Sequence, residues 1–213
     1  GWIQLLETRA DVNEMLKLDE YIDLIIPRGS NEFVRYILDN SRIPVLGHAD
    51  GICHCYVDKD ADLDMALKIV VDSKMQYVAV CNATETLLVH EKLAQEFLPL
   101  LKDELDKKGV ALIGCDRTAK IISVVDTTEE DWKTEYLDYR LSIKVVKDIR
   151  QAIAHINTYG SGHTDSIITS SKEAASMFMN LVDSGNVLWN CSTRFSDGFR
   201  YGFGAEVGIS TNK

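Results

Sequence analysis

The chain has 213 residues, of which 46% are apolar and 26% charged, a balance typical of a globular protein with enough material for a sizeable core. A net charge of −10 disfavours nucleic acid or an anionic membrane as a general partner, because both attract basic surfaces. No apolar run approaches the roughly 20 residues of a membrane span, so membrane insertion is not expected.

The first fifty residues alternate short apolar runs with amphipathic segments. Strands are predicted at "WIQLL", "YIDLIIP" and "IPVLG", and helices at "RADVNEMLKL" and "SNEFVRYILDN". Buried runs rich in Ile, Leu and Val that alternate with helices are typical of parallel βαβ units.

The same alternation continues through the rest of the chain. Strands are predicted at "ICHCYV", "TLLVH", "VALIG", "LSIKVV", "SIITS" and "NVLWN". Helices are predicted at "ADLDMALKIVVDSK", "EKLAQEFLPLLKDELDKK", "IRQAIAHINTY" and "KEAASMFMNLVD". The chain is therefore predicted to be α/β throughout. Because it opens almost directly on a predicted strand and stops at "GISTNK", we expect it to be a piece of a larger protein.

Five cysteines are scattered along a chain too large to need covalent staples, which favours reduced thiols and a reducing compartment. They are Cys53, Cys55, Cys81, Cys115 and Cys191. Cys53 and Cys55 flank His54, but neighbouring residues on a strand point to opposite faces. Core cysteines on a strand are therefore favoured over a metal site, and no metal is expected.

Cys81 lies in "YVAVCNATETLLVH", where Asn82, Ala83 and Thr84 interrupt an apolar run. Free cysteine is usually buried and inert. A loop at the entry of a strand could instead offer backbone N–H groups to a thiolate or an oxyanion. The spacing alone leaves both interpretations open.

Two polar turns carry further candidates. In "IIPRGSNEFV" a predicted strand turns into a helix whose first N–H groups, with Arg28 and Ser30, could bind a phosphate; the alternative is an ordinary turn with Ser30 as N-cap. In "NCSTRFSDGFRYGFGAEVGIST", Arg194 could clamp a carboxylate, or the segment is a glycine-rich surface loop. Glu135 and His163 are, by position alone, expected to be solvated loop residues.

Several of these segments together resemble one family, the γ-glutamyl phosphate reductases, a branch of the aldehyde dehydrogenase superfamily. The resemblance rests on "DLIIPRGSNEFV", "GICHCYVDKDADLDMA", "CNATETLLVHEKL", "GSGHTDSIIT" and "STRFSDGFRYGFGAEVGIST", which span nearly the whole chain. "GHADGICH" and "STRFSDGFR" are most similar to the reductase part of bifunctional Δ1-pyrroline-5-carboxylate synthases, where a glutamate 5-kinase is fused to it.

The resemblance implies an aldehyde dehydrogenase-like α/β fold. Residues 1–47 would form the C-terminal half of the dinucleotide-binding domain and residues 48–187 the catalytic domain. Residues 188–213 would form a returning segment with a glycine-rich substrate loop and oligomer contacts. A homo-oligomer and an intracellular location follow from the same resemblance, mitochondrial for an animal bifunctional enzyme and otherwise cytoplasmic or plastid.

The resemblance also implies a reaction in proline biosynthesis. The Cys81 thiolate would attack γ-glutamyl phosphate, expel phosphate and form a thioester, which NADPH would reduce to glutamate 5-semialdehyde. The residues implied for cofactor binding are Pro27, Arg28, Gly29, Ser30 and Glu135. Those implied for substrate binding are Asn82, His163, Ser192, Thr193 and Arg194. Where hydrolytic relatives carry a glutamate base, "VLGHADG" places His48, and loss of that carboxylate favours reduction over hydrolysis.

Two rival interpretations stay open. One is an inactive module of the same family that serves self-association through an exposed sheet edge. The other is a cysteine-dependent acyl hydrolase, which would need a histidine base such as His48 or His163. Since the family's adenosine-side lysine and oxyanion asparagine are expected upstream of Gly1, the chain alone is predicted to bind NADPH weakly.

Overall fold

A computed structural model describes residues 3–47, 50–205 and 211 of the chain. Contacts between these residues divide most of them into two compact units, the first over residues 3–47 and the second over residues 50–205. Residues 188–205 belong to the second unit by their contacts. The functions predicted for residues 1–47, 48–187 and 188–213 stay predictions.

The first unit contains two helices, α1 (Arg9–Met15) and α2 (Asn31–Asn40). Both begin at a side-chain cap: Thr8 accepts a hydrogen bond from the Asp11 N–H, and Ser30 accepts one from the Phe33 N–H. The small apolar core of this unit includes Leu16, Ile25, Ile37 and Ile43.

The three strands predicted in this part of the chain are not formed as predicted. Residues 3–6 are exposed and have no strand structure, and the other two runs meet only at a parallel bridge between Ile25 and Val45. An apolar run becomes a strand only if a partner supplies a regular hydrogen-bond ladder. Among the described residues of this unit, that bridge is the only β-pairing.

The second unit is built on a seven-stranded parallel sheet in the order β4-β3-β5-β2-β1-β6-β7. The strands are β1 (Cys53–Val57), β2 (Thr84–His90), β3 (Ala111–Gly114), β4 (Val125–Asp126), β5 (Arg140–Val146), β6 (Thr164–Ile168) and β7 (Asn186–Trp189). The helices are α3 (Leu63–Met75), α4 (Glu91–Asp106), α5 (Asp116–Ala119), α6 (Ile149–Tyr159) and α7 (Lys172–Leu181). The α/β prediction and its longer elements are confirmed, whereas β4 and α5 were not predicted.

Helices cover both faces of the sheet. Leu87 of β2 packs among residues of α3 and α4, and its neighbour Leu88 packs among residues of α6 and α7. Alternate side chains of a strand point to opposite faces, so a central strand between two helix layers is apolar on both sides. This explains why consecutive residues of β2, Leu87, Leu88 and Val89, are all apolar.

Cys53 and Cys55 are fully buried on β1, which confirms the prediction of core cysteines on a strand. All five cysteines lie among the described residues, and none forms a disulfide. No helix in the described part of the chain is both long and apolar enough to cross a membrane.

Candidate active site

Cys81 lies in a turn immediately before β2, as predicted for a loop at the entry of a strand. The turn is closed by a 2.9 Å hydrogen bond from the Ala83 N–H to the Val80 carbonyl oxygen. Asn82 and Ala83 are buried, whereas Cys81 is only partly buried. The backbone thus buries the residues that follow the cysteine and leaves part of the cysteine accessible.

Gly51 lies where the backbone of Cys81 and the carboxylate of Glu135 converge. A Cβ atom on Gly51 would lie 2.2 Å from the Cys81 carbonyl oxygen, 2.7 Å from the Cys81 Cα and 2.7 Å from Glu135 Oε1. Only glycine permits this approach. Glu135, half-buried, is therefore next to the cysteine turn, and Gly51 is a site residue that sequence reasoning missed.

Arg194 reaches the same turn from the polar loop after β7. Its Nη1 donates a hydrogen bond to Asn82 Oδ1, and Asn82 Nδ2 donates one to the Ser196 carbonyl oxygen at 2.7 Å. Burial and then the charge of Arg200 lower the pKa of the Arg194 guanidinium, while Asp197 and Cys81 raise it. A cationic group is thus within electrostatic range of Cys81.

The other two predicted residues of this loop, Ser192 and Thr193, anchor it. Ser73 of α3 donates from its hydroxyl to Ser192 Oγ at 3.1 Å and accepts from the Thr193 N–H at 3.2 Å. The Thr193 and Thr84 hydroxyls are 3.2 Å apart. Ser192 and Thr193 therefore tie the loop to α3 and β2, and Arg194 carries its charge to the cysteine turn.

The expectation that His163 is a solvated loop residue is wrong, because His163 is fully buried. Its Nδ1 is 2.9 Å from Thr164 Oγ1 and 3.8 Å from Cys53 Sγ. Cys53 Sγ in turn donates to the Cys81 carbonyl oxygen at 3.3 Å. Burial raises the pKa of Cys53 well above its usual value, so Cys53 stays a neutral donor behind the turn.

A buried ion pair lies beside this group and was also missed. Lys74 Nζ of α3 is 2.6 Å from Glu85 Oε2 of β2, and both side chains are almost completely buried. Burial raises the pKa of Glu85 to about 7, and Lys74 opposes that shift. Burial lowers the pKa of Lys74, with Glu85 acting in the opposite direction. The signal in the sequence was a charged residue inside the buried strand "TETLLVH".

The turn at residues 27–30 lies in the first unit. Pro27 is buried, while Arg28, Gly29 and Ser30 are exposed. Ser30 caps α2 through a 3.3 Å hydrogen bond from the Phe33 N–H, as the N-cap interpretation predicts. An open groove beside the turn is lined by Arg9, Asn13, Ser30, Glu32, Phe33 and Tyr36. Phosphate binding by this turn stays a prediction, and His48 lies outside the described residues.

Comparison with known proteins defines the class of this α/β fold. A sequence model described as "Aldehyde dehydrogenase family" matches residues 1–139, and the chain belongs to the aldehyde dehydrogenase family. The resemblance inferred from the motifs is confirmed by relatives that carry the name of the reductase. The chain is 78% identical over 213 residues to gamma-glutamyl phosphate reductase of Acetivibrio thermocellus, covering 100% of this chain and 49% of that protein.

Solved structures agree with this assignment. Gamma-glutamyl phosphate reductase of Thermotoga maritima matches with a TM-score of 0.94 at 47% identity, over 97% of this chain and 50% of that one. An NADP complex of a glyceraldehyde-3-phosphate dehydrogenase from Methanocaldococcus jannaschii matches with a TM-score of 0.70 at 18% identity, over 88% and 50%, and shows the fold alone. The chain spans about half the length of the curated relatives it matches.

Proposed function

We propose that this chain serves the NADPH-dependent reduction of γ-glutamyl 5-phosphate to glutamate 5-semialdehyde in proline biosynthesis, with Cys81 as the nucleophile. The observation that carries the proposal is the partly exposed Cys81, whose backbone lies next to the Glu135 carboxylate and whose neighbour Asn82 is bound by Arg194. The names of the relatives, gamma-glutamyl phosphate reductase, support γ-glutamyl phosphate as the substrate.

In the proposed reaction the Cys81 thiolate attacks the acyl carbon of the mixed anhydride. The C–S bond forms, the bond from the acyl carbon to the phosphate oxygen breaks, and phosphate leaves with its electron pair. A thiolate is strongly nucleophilic near neutral pH, and its thioester remains electrophilic enough to accept hydride. Burial raises the pKa of Cys55 to about 11 and raises that of Cys191, so these thiols are poorer candidates.

Arg194 is proposed to bind the α-carboxylate of the glutamyl group. The whole chain carries a net charge of −10, so an anionic substrate requires a local cation. Arginine matches a carboxylate with two parallel N–H donors, and Asn82 holds one edge of the guanidinium in place. Ser192 and Thr193 hold this loop in place. His163 contacts Cys53, which donates a hydrogen bond to the carbonyl oxygen of Cys81 in the cysteine turn.

The residues present fit a nicotinamide cofactor. The Glu135 carboxylate lies next to the Cys81 backbone, because Gly51 has no side chain to separate them, and a carboxylate there can accept hydrogen bonds from ribose hydroxyls. The N-terminus of α2, with Pro27, Arg28, Gly29 and Ser30, is proposed to hold the phosphates. NADPH, when bound, supplies the hydride that reduces the thioester.

The test is the rate at which iodoacetamide alkylates each thiol, followed by intact mass. Cys115 is the competitor to control for. Burial raises its pKa, but hydrogen bonds with the Thr118 hydroxyl and with nearby backbone groups outweigh burial, so its pKa is lowered. We expect one fast site that is lost in Cys81→Ser, retained in Cys115→Ser and slowed by glutamate semialdehyde. A fast site that survives in Cys81→Ser would show that another thiol is the reactive one and would contradict the proposal.

A further inference from the structure

The buried pair of Lys74 and Glu85 has no part in the reaction as proposed above. The exposed fractions of the two side chains are 0% and 1%, and the distance from Nζ to Oε2 is 2.6 Å. Taking two charges out of water costs several kcal/mol per ion, and apolar side chains of the same size often stabilise a core as well or better. Such a pair is weak evidence for stability, so its contacts need another explanation.

The second oxygen of Glu85 bonds the segment that carries Glu135. Glu85 Oε1 accepts a hydrogen bond from the Leu137 N–H at 3.3 Å. Leu137 has a φ of 52°, a left-handed conformation that is unfavourable for a residue with a side chain. Such a conformation persists only where the surroundings enforce it. The hydrogen bond from the Leu137 N–H to Glu85 is one such restraint.

A second restraint acts on the residue between Glu135 and Leu137. The Tyr136 hydroxyl is 2.8 Å from Ser142 Oγ of β5 and donates to Asp131 Oδ1 at 3.0 Å. The backbone after Glu135 is therefore tied to β5 through Tyr136 and to β2 through Glu85. Two residues before Leu137, the Glu135 carboxylate reaches the place where Gly51 meets the Cys81 backbone.

We infer that Lys74 and Glu85 are positioning residues, which hold Leu137 in its left-handed conformation and so aim the Glu135 carboxylate at the cofactor beside Cys81. Lys74, 2.6 Å from Glu85, opposes the effect of burial and favours the ionised carboxylate, which is the stronger acceptor for the Leu137 N–H. The inference rests on the cofactor role proposed for Glu135. It predicts an effect that is selective for the cofactor: loss of the Lys74–Glu85 pair should weaken NADPH binding more than substrate binding.

The test is a fluorescence titration of NADPH with the full-length protein, alongside KM for glutamate semialdehyde in the reverse reaction. Glu85→Gln and the apolar pair Lys74→Met/Glu85→Leu both disturb the restraint, and the apolar pair leaves no buried charge unpaired. We expect the NADPH dissociation constant to rise about tenfold in both, with the KM for semialdehyde within about twofold. The control is Glu104→Gln/Lys107→Met, a 2.6 Å ion pair on the surface of the same unit, which should change neither value.

A double-mutant cycle with Glu135→Gln separates this inference from the function on which it rests. If Glu85 acts through Glu135, adding Glu85→Gln to Glu135→Gln should weaken NADPH binding no further. If Glu135→Gln weakens binding but a folded Lys74→Met/Glu85→Leu protein binds like wild type, the positioning role is overturned and the proposed function stands. If Glu135→Gln itself binds NADPH like wild type, the cofactor role of Glu135 is overturned.

Discussion

Gly51 is the residue whose missing side chain lets the cysteine turn and Glu135 meet. In Gly51→Ala the new methyl group would lie 2.2 Å from the Cys81 carbonyl oxygen, so the turn must shift. Overpacking of this kind typically costs about 1–3 kcal/mol. We expect the free energy of unfolding in urea to fall by that amount and the alkylation rate of Cys81 to change.

The control for this variant is Gly109→Ala. Gly109 has a φ of 72° but no atom within 4 Å of an added Cβ, so alanine there meets backbone strain without a clash. Gly109→Ala is expected to lower stability by about 1–2 kcal/mol and to leave Cys81 alkylation unchanged. If both variants left Cys81 alkylation at the wild-type rate, Gly51 would not control the geometry of the turn.

A second prediction for a single residue concerns His155 and the dependence of stability on pH. It is buried, and its Nδ1 is 3.0 Å from Lys144 Nζ, which itself lies over the ring of Trp132. Burial, followed by the charges of His54 and Lys144, lowers the pKa of His155 to about 2. An unfolded histidine binds a proton below about pH 6.5, whereas the folded one stays neutral down to about pH 2.

The contribution of His155 to stability is therefore present above about pH 6.5 and is lost as the pH falls. Between these two pKa values, His155 changes the free energy of unfolding by at most about 1.4 kcal/mol per pH unit. Urea unfolding at a series of pH values between 7.5 and 5 measures this slope in wild type and in His155→Phe. We expect a shallower slope in the variant; equal slopes would mean that His155 titrates normally in the folded protein.

At the scale of an element, α4 shows how one helix divides its leucines between core and solvent. Leu101 is fully buried, whereas its neighbour Leu100 is 46% exposed. Leu101→Ala is expected to lower the free energy of unfolding by about 2–5 kcal/mol, because it removes buried methyl groups and leaves a cavity. Leu100→Ala should stay within about 0.5 kcal/mol of wild type. Equal losses in urea unfolding would contradict this orientation of α4.

The strands also show which parts of the fold could be predicted from the sequence and which could not. The longer strands of the second unit were predictable because each contains a short run of apolar residues that are buried between two helix layers, as Leu87 to Val89 are in β2. The run at residues 2–6 is also rich in large apolar residues, but its described part forms no strand. Strand formation depends on a partner, and the local pattern carries no information about partners.

The candidate site likewise contains residues that the sequence could indicate and contacts that it could not. Cys81, Asn82 and Arg194 could be proposed as candidates because each lies in a contiguous motif that resembles the family. The burial of His163 and the pairing of Lys74 with Glu85 were not predicted, because both depend on segments that only the fold brings together. A carboxylate within a buried strand signals that some partner exists, but it does not say which residue that is.

At the scale of the whole molecule, the two units differ in how much apolar surface holds them together. The second unit packs two apolar clusters against opposite faces of a seven-stranded sheet. The first unit has one small cluster and a single described bridge, and it exposes Ile3, Leu5 and Tyr21 by 94%, 85% and 79%. Local opening needs less free energy where few apolar contacts and backbone hydrogen bonds must break.

Hydrogen exchange of the 213-residue chain, followed by mass spectrometry, tests this difference. We expect amides of α1 and α2 to exchange faster than those of β1, β2 and β5, because the strand amides are paired on both sides and buried under helices. Peptides from α4 serve as the internal control, since α4 is a helix that packs into the larger core. If α2 were protected as well as α4, the first unit would have a stability of its own that its small core does not explain.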